Sequence, residues 1–142
     1  MAVAALVLVV GCAPPVQQQA PTPDAAARQM CAEVMANLPS HVLDQPRRDS
    51  EPAELTAAWG DPPISLRCGV DKPPGLTPAS ECFEVNRVGW YAEEGVGGMV
   101  FTTIGRPVYV EVGVPTAYAP EGTALVDVAA AVAKVPVGQP CV

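Results

Sequence analysis

The sequence predicts an α+β domain: an antiparallel sheet of about four strands with two main helices packed on one face, stapled by disulfides. Three observations predict it. Val108, Val110, Val112 and Val114 alternate with Tyr109, Glu111 and Gly113, the period of a strand with one buried face. Two stretches repeat apolar residues at helical spacing: Ala27, Met30, Cys31, Val34 and Leu38, and later Leu125, Val128, Ala129 and Val132. They are the natural partners for the valine face. Finally, Cys31, Cys68, Cys82 and Cys141 form an even set beyond the N-terminal Cys12.

The chain opens on a wholly apolar run, Ala2 to Val10, about the length of a signal-peptide core. It is too short for the roughly 20 residues that span a bilayer. It closes on Val9-Val10-Gly11-Cys12, which looks like a bacterial lipobox, where a peptidase cuts beside a small residue and the new first cysteine is lipidated. Residues 1–11 are therefore read as a lipoprotein signal peptide, 12–23 as a lipidated Cys12 with a tether, and 24–142 as a single α+β domain of unknown function. Acyl chains such as palmitate on Cys12 would anchor firmly, since each buried methylene adds roughly 0.8 kcal/mol. No Lys or Arg precedes the run, so the usual positive flank is missing. That predicts a start assigned too late and a truncated signal peptide. The rival readings are an uncleaved N-terminal transmembrane anchor and a soluble product.

Ala13 to Pro23 reads APPVQQQAPTP, uncharged and without periodicity. It is expected to stay extended at roughly 3 Å per residue and to lift the domain some 30 Å off the membrane. Thr22, Pro23 and Asp24 are a helix start, and Pro39 a stop. His41 to Pro52 reads as a polar loop, and Ala53 to Trp59 as a short helical turn ended by Gly60. After the breaker Asp61-Pro62-Pro63, Ile64 to Cys68 alternates as a half-buried strand. Asp71 to Pro78 is a turn region. Cys82–Val85 and Val88–Glu93 are strands split at Asn86-Arg87. Met99 to Ile104 is a strand joined through Gly105-Arg106-Pro107 to the valine strand, and Pro120-Glu121 opens the last helix.

Composition narrows the function classes. The net charge of −7 argues against nucleic acid, whose phosphates demand clustered cations, and against direct adhesion to anionic lipid or wall polymers. Arg47-Arg48, flanked by Asp44, Asp49 and Glu51, reads as a solvated loop rather than an anion site. Seventeen prolines suggest short strands and tight loops. An even cysteine set in an exported chain reads as disulfides. No metal site is expected: there is no Cys-x-x-Cys, and His41 is the only histidine. Of the three possible pairings, Cys68 with Cys82 and Cys31 with Cys141 are favoured, the first closing a Pro/Gly-rich loop and the second pinning the C-terminus to the first helix. A loop of about 15 residues contributes roughly 3 kcal/mol, and one of about 100 nearer 4.7 kcal/mol.

One set of residues carries a family resemblance. It is Thr56-Ala57-Ala58-Trp59-Gly60-Asp61-Pro62-Pro63-Ile64 through Leu66-Arg67-Cys68-Gly69, with Cys82, Val85-Asn86, Trp90, Phe101-Thr102-Thr103, Gly105-Arg106 and Val110-Glu111-Val112. Together these resemble an actinobacterial family of exported proteins known as domain of unknown function 3515, over roughly Cys31 to Cys141. The resemblance implies export with an N-terminal membrane anchor or lipoprotein signal. It brings no catalytic residues.

The chain holds no nucleophile elbow, no Ser-x-x-Lys, no P-loop and no dinucleotide fingerprint, so no catalytic residue and no cofactor is expected. His41 lies in a polar loop, unsuited to a triad. Glu84, Glu93, Glu94 and Glu111 are the candidates for acid–base work on neighbouring strands, with surface solvation the simpler reading. Glu111 stands out: mid-strand opposite the valine face, with Arg67 or Arg106 as possible partners. Trp59 and Trp90 are possible binding platforms, or plugs in the core. The expected function is that of an extracytoplasmic lipoprotein on the outer face of the cell membrane, a non-enzymatic accessory that binds another envelope protein or a wall precursor. The alternatives are an envelope hydrolase built on surface carboxylates and a purely structural envelope protein.

Overall fold

A computed structural model describes residues 11–141. The apolar run Ala2–Val10, expected to be a signal-peptide core, lies outside them. The strands are β1 (Val16–Gln17), β2 (His41–Val42), β3 (Gln45–Arg48), β4 (Ser50–Glu51), β5 (Thr56–Trp59), β6 (Ile64–Val70), β7 (Phe83–Val85), β8 (Val88–Gly95), β9 (Gly98–Thr103) and β10 (Tyr109–Pro115). The helices are α1 (Ala25–Ala36) and α2 (Ala124–Val132). Among the described residues, eight strands form one antiparallel sheet in the order β2-β3-β5-β6-β10-β9-β8-β7, and β1 pairs separately with β4 in parallel.

The five strands named from the sequence, β6 to β10, are the sheet's centre and one flank. β10 pairs with β6 and β9, and β9 with β8. Asn86-Arg87 makes the two-residue turn between β7 and β8, both residues at positive φ (49° and 68°), as a hairpin of this length requires. On one face Val110, Val112, Val114, Ile64, Leu66 and Cys68 are buried, and Leu125, Val128, Ala129 and Val132 of α2 join Cys31 and Val34 of α1 in the same core. Helix α1 starts where Asp24 caps it, its Oδ1 accepting from the Ala27 amide at 2.8 Å.

The sheet is larger than about four strands because the remaining ones carry no period-two signal. His41–Pro52, read as a loop, supplies β2 and β3 of this sheet and the separate β4, each two to four residues long and mostly polar. Ala53–Trp59, read as a helical turn, contains β5. All four residues of β5 are buried, so apolar and polar positions do not alternate. Its outer face is covered by the N-terminal segment. Ala13–Pro23 does not stand free as a tether. From Val16 onward it is laid along the domain: the Val16 amide donates to the Asp49 carbonyl at 2.8 Å, and Gln18 Nε2 reaches both Ser50 Oγ and the Ala57 carbonyl at 2.9 Å. Pro23 packs on Gly69, where φ is +88° and a Cβ would lie 2.7 Å from the proline ring. The packed structure thus begins near Val16, ahead of the expected boundary at 24.

The disulfides are Cys31–Cys68 and Cys82–Cys141, each with Cα atoms 5.6 Å apart. The four cysteines are paired as a set, but the favoured pairing is overturned. Cys68 follows Ile64 and Leu66 inward on β6, directly under α1, and both it and Cys31 are fully buried. Cys82 lies beyond the Pro-rich loop at the other end of the sheet. There the C-terminal tail arrives, tied by the Gly138 and Gln139 amides to the Gly105 carbonyl at 2.7 and 2.9 Å.

Candidate binding cleft

The face opposite the helices carries the polar residues. In register across it lie Thr56 on β5, Arg67 on β6, Glu111 on β10, Thr102 on β9 and Tyr91 on β8. Period-two alternation puts them all on one side, because their neighbours Leu66, Val112, Phe101 and Trp90 point into the core. Arg67 grips Glu111 with two parallel bonds, Nε to Oε1 and Nη2 to Oε2, each 3.0 Å. Of the two partners foreseen for Glu111, Arg67 is the one the fold supplies. Arg106 instead donates to the carbonyls of Val135 and Arg87.

Above this pair a cleft of about 320 Å³ opens. One wall is Gln19–Thr22 of the docked N-terminal segment, the other is Val70–Pro74, and Arg67, Glu93 and Glu111 line its base. Arg67 also donates through Nη1 to the Gln19 carbonyl at 3.2 Å, so one guanidinium joins floor to wall. The side chains of Arg67 and Glu111 are 21% and 23% exposed, enough to be reached by a ligand yet shielded enough for their charges to count. Next in the row, Thr102 is fully buried and its hydroxyl has no protein partner. Tyr91 points its hydroxyl at Glu93 Oε2, 3.5 Å away. Desolvation first, and the Glu93 charge and hydrogen bond after it, raise the Tyr91 pKa above its ordinary value.

The other sequence candidates fall elsewhere. Trp59 and Trp90 are fully buried in the core, so neither is a binding platform. Trp59 donates to the Pro39 carbonyl at 3.0 Å and carries the Arg47 guanidinium 5.2 Å from its ring centre, where burial lowers the Arg47 pKa. Arg47 and Arg48 belong to strand β3 rather than to a solvated loop. Arg48 donates to the Gly60 carbonyl at 2.9 Å and lies 3.9 Å from Asp61. Glu84 and Glu94 are exposed, and alternation along β8 puts Glu94 on the face opposite Glu93. The four glutamates therefore do not converge; only Glu93 and Glu111 share a cleft. His41 is exposed, with Nδ1 3.0 Å from Ser40 Oγ. Cys12 is exposed and unpaired. Among the described residues no group of His, Cys, Asp and Glu is placed to hold a metal, and no helix is long and apolar enough to cross a membrane.

Sequence reasoning missed Gln18 and Thr102. Gln18 sits in a glutamine run that signals nothing. The position of Thr102 was accessible, because the β9–β10 hairpin through Gly105 sets it opposite Glu111.

A large antiparallel sheet with helices on one face, a polar cleft on the other and two disulfides defines a disulfide-bonded α+β domain. The chain belongs to the family described as protein of unknown function DUF3515, whose family model matches residues 1–140. No curated protein and no solved structure matches it.

Proposed function

We propose that this protein is a lipoprotein of the extracytoplasmic membrane face, anchored through Cys12, that works as a non-enzymatic binding component of the cell envelope. The observation that carries the reading is the Arg67–Glu111 pair at the base of the cleft. Both oxygens of the most suggestive carboxylate are held by a guanidinium, an arrangement suited to recognition rather than to moving a proton. The two disulfides suit an oxidising compartment, and Cys12 is exposed and free for modification. Because the chain docks from Val16 on, only Cys12 to Val16 remains as a spacer, a span of at most about 14 Å. The domain then rides close to the lipid headgroups rather than some 30 Å away. The partner is an envelope protein or a wall precursor that enters the cleft between Gln19–Thr22 and Val70–Pro74.

Two measurements test this in the producing cell. Metabolic labelling with a palmitate analogue should mark the wild-type chain and not C12A; equal labelling of both would remove the anchor. A photo-crosslinking residue at Ala20, on the cleft wall, should give one defined adduct in intact cells. No adduct from correctly anchored protein would overturn the binding reading. Hydrolysis of wall polymer by the purified protein, abolished in E93Q, would replace it with the hydrolase reading.

A further inference from the structure

A second cavity, of about 450 Å³, lies at the end of the sheet beside the Cys82–Cys141 bond. Lys72 and Arg106 line it, together with the hydroxyl-bearing Thr77, Ser80 and Tyr109 and the amide of Gln139, and no Asp or Glu does. That is notable in a chain with 15 acidic residues against 8 Lys and Arg. Leu76 and Ile104 add an apolar wall.

Its two cations, the exposed Lys72 and the partly buried Arg106, are left without counter-charge. Among the described residues neither Lys72 nor Arg106 has a carboxylate within ion-pair distance; the ion pairs there are Arg48–Asp61 and Arg67–Glu111. Arg106 is held instead by backbone carbonyls, Nη1 on Val135 and Nη2 on Arg87, while its buried Nε has no protein partner. Neutral carbonyls fix the guanidinium without cancelling its charge, and burial accordingly lowers the Arg106 pKa. The surrounding backbone is arranged to hold the cavity. Gly105 is at φ +75° with the tail carbonyl of Gln139 crossing where a side chain would stand, so the tail forms one wall. A register shift between β6 and β10 falls at Tyr109, which lines the cavity floor.

We propose that this cavity binds a small phosphomonoester. Two uncompensated cations match a dianion, and the hydroxyl and amide groups supply further donors for a tetrahedral head rather than a planar one. The apolar wall of Leu76 and Ile104 takes a short organic body. This cavity adjoins the Arg67–Glu111 cleft, with Lys72 in the lining of both and Arg106 outside the cleft, and the proposal does not rest on the envelope role.

The test is equilibrium binding to the purified full chain, using phenyl phosphate, inorganic phosphate, benzoate and phenol as probes. Phenyl phosphate should bind saturably, at least about tenfold tighter than benzoate or phenol, and more weakly as salt is raised. Inorganic phosphate should compete with it. Lys72→Gln, on an exposed loop, should weaken phenyl phosphate about tenfold and leave the melting temperature of the free protein unchanged. Arg106→Gln should abolish binding; because Arg106 also ties the C-terminal tail, Lys72→Gln decides the matter if that variant does not fold. Equal affinity for benzoate, wild-type affinity in Lys72→Gln, or no saturable binding at millimolar phenyl phosphate would each overturn the proposal.

Discussion

On the inner face of the sheet, Leu66, Val110, Val112 and Phe101 meet α1 and α2, and the Cys31–Cys68 bond joins helix to strand inside that core. One residue further along the same strands, the outer face carries Arg67, Glu111, Thr102 and Tyr91, covered only in part by an extended N-terminal segment and a Pro-rich loop. The inner face is held by area removed from water and the outer by a few directed bonds. Losses on the first should be large and insensitive to salt. Changes on the second should be small, salt-sensitive and felt first in binding.

The largest expected effect is on the inner staple. Cys31→Ala with Cys68→Ala opens a loop of sequence separation 37 and removes two fully buried sulfurs; it should cost about 4 kcal/mol in urea denaturation. Loop length alone would rank Cys82–Cys141, separation 59, slightly higher. Its half-exposed site leaves less of a cavity, so its removal should cost less. The reverse order would mean that chain entropy outweighs packing.

A pair of single substitutions sharpens the contrast. Val112→Ala on the inner face should cost about 2 kcal/mol. Thr102→Val, on the neighbouring strand but the outer face, should stabilise by about 1 kcal/mol, because it removes a buried hydroxyl that has no protein partner. Destabilisation by Thr102→Val would reveal a bound water or ligand on that hydroxyl.

Arg67→Ala should cost about 1–2 kcal/mol, less at high salt, since the pair is bidentate yet one-fifth exposed. A double-mutant cycle with Glu111→Ala measures the coupling, and a coupling of zero would reduce the pair to decoration.

The smallest effect concerns Tyr91. Its pKa is raised, so the neutral phenol is favoured in the folded state, and that preference is fully present below the ordinary tyrosine value of about 10. Stability from this source should be lost as pH climbs through the raised value. Absorbance titration of wild type against Tyr91→Phe isolates the step, and the difference curve should fall above 10.

The outer face was legible where alternation reached it and illegible where chain segments came from elsewhere. Glu111 could be placed opposite the valine face, and Arg67 offered as its partner, from period two alone. Neither Gln18 reaching Ala57 nor the wall at Gln19–Thr22 could be foreseen, because a Pro/Gln segment carries the same local signal whether it floats or docks. The burial of Trp59 was left open for a related reason: a tryptophan beside Gly-Asp-Pro-Pro fits a surface loop as well as a covered strand.

By itself the sequence determined the valine strand and its hairpin partners, both helices to within a few residues of their ends, the even set of paired cysteines and the family. Those rest on spacing between near neighbours, which the chain states directly. Only the tertiary structure decided the eight-strand sheet, the docking of the N-terminal segment, the pairing of Cys31 with Cys68 and of Cys82 with Cys141, and the meeting of Lys72 with Arg106 at one cavity. Each of these joins residues far apart in the chain. Which distant segments meet is set by the packing of the whole sheet, and no local period records it.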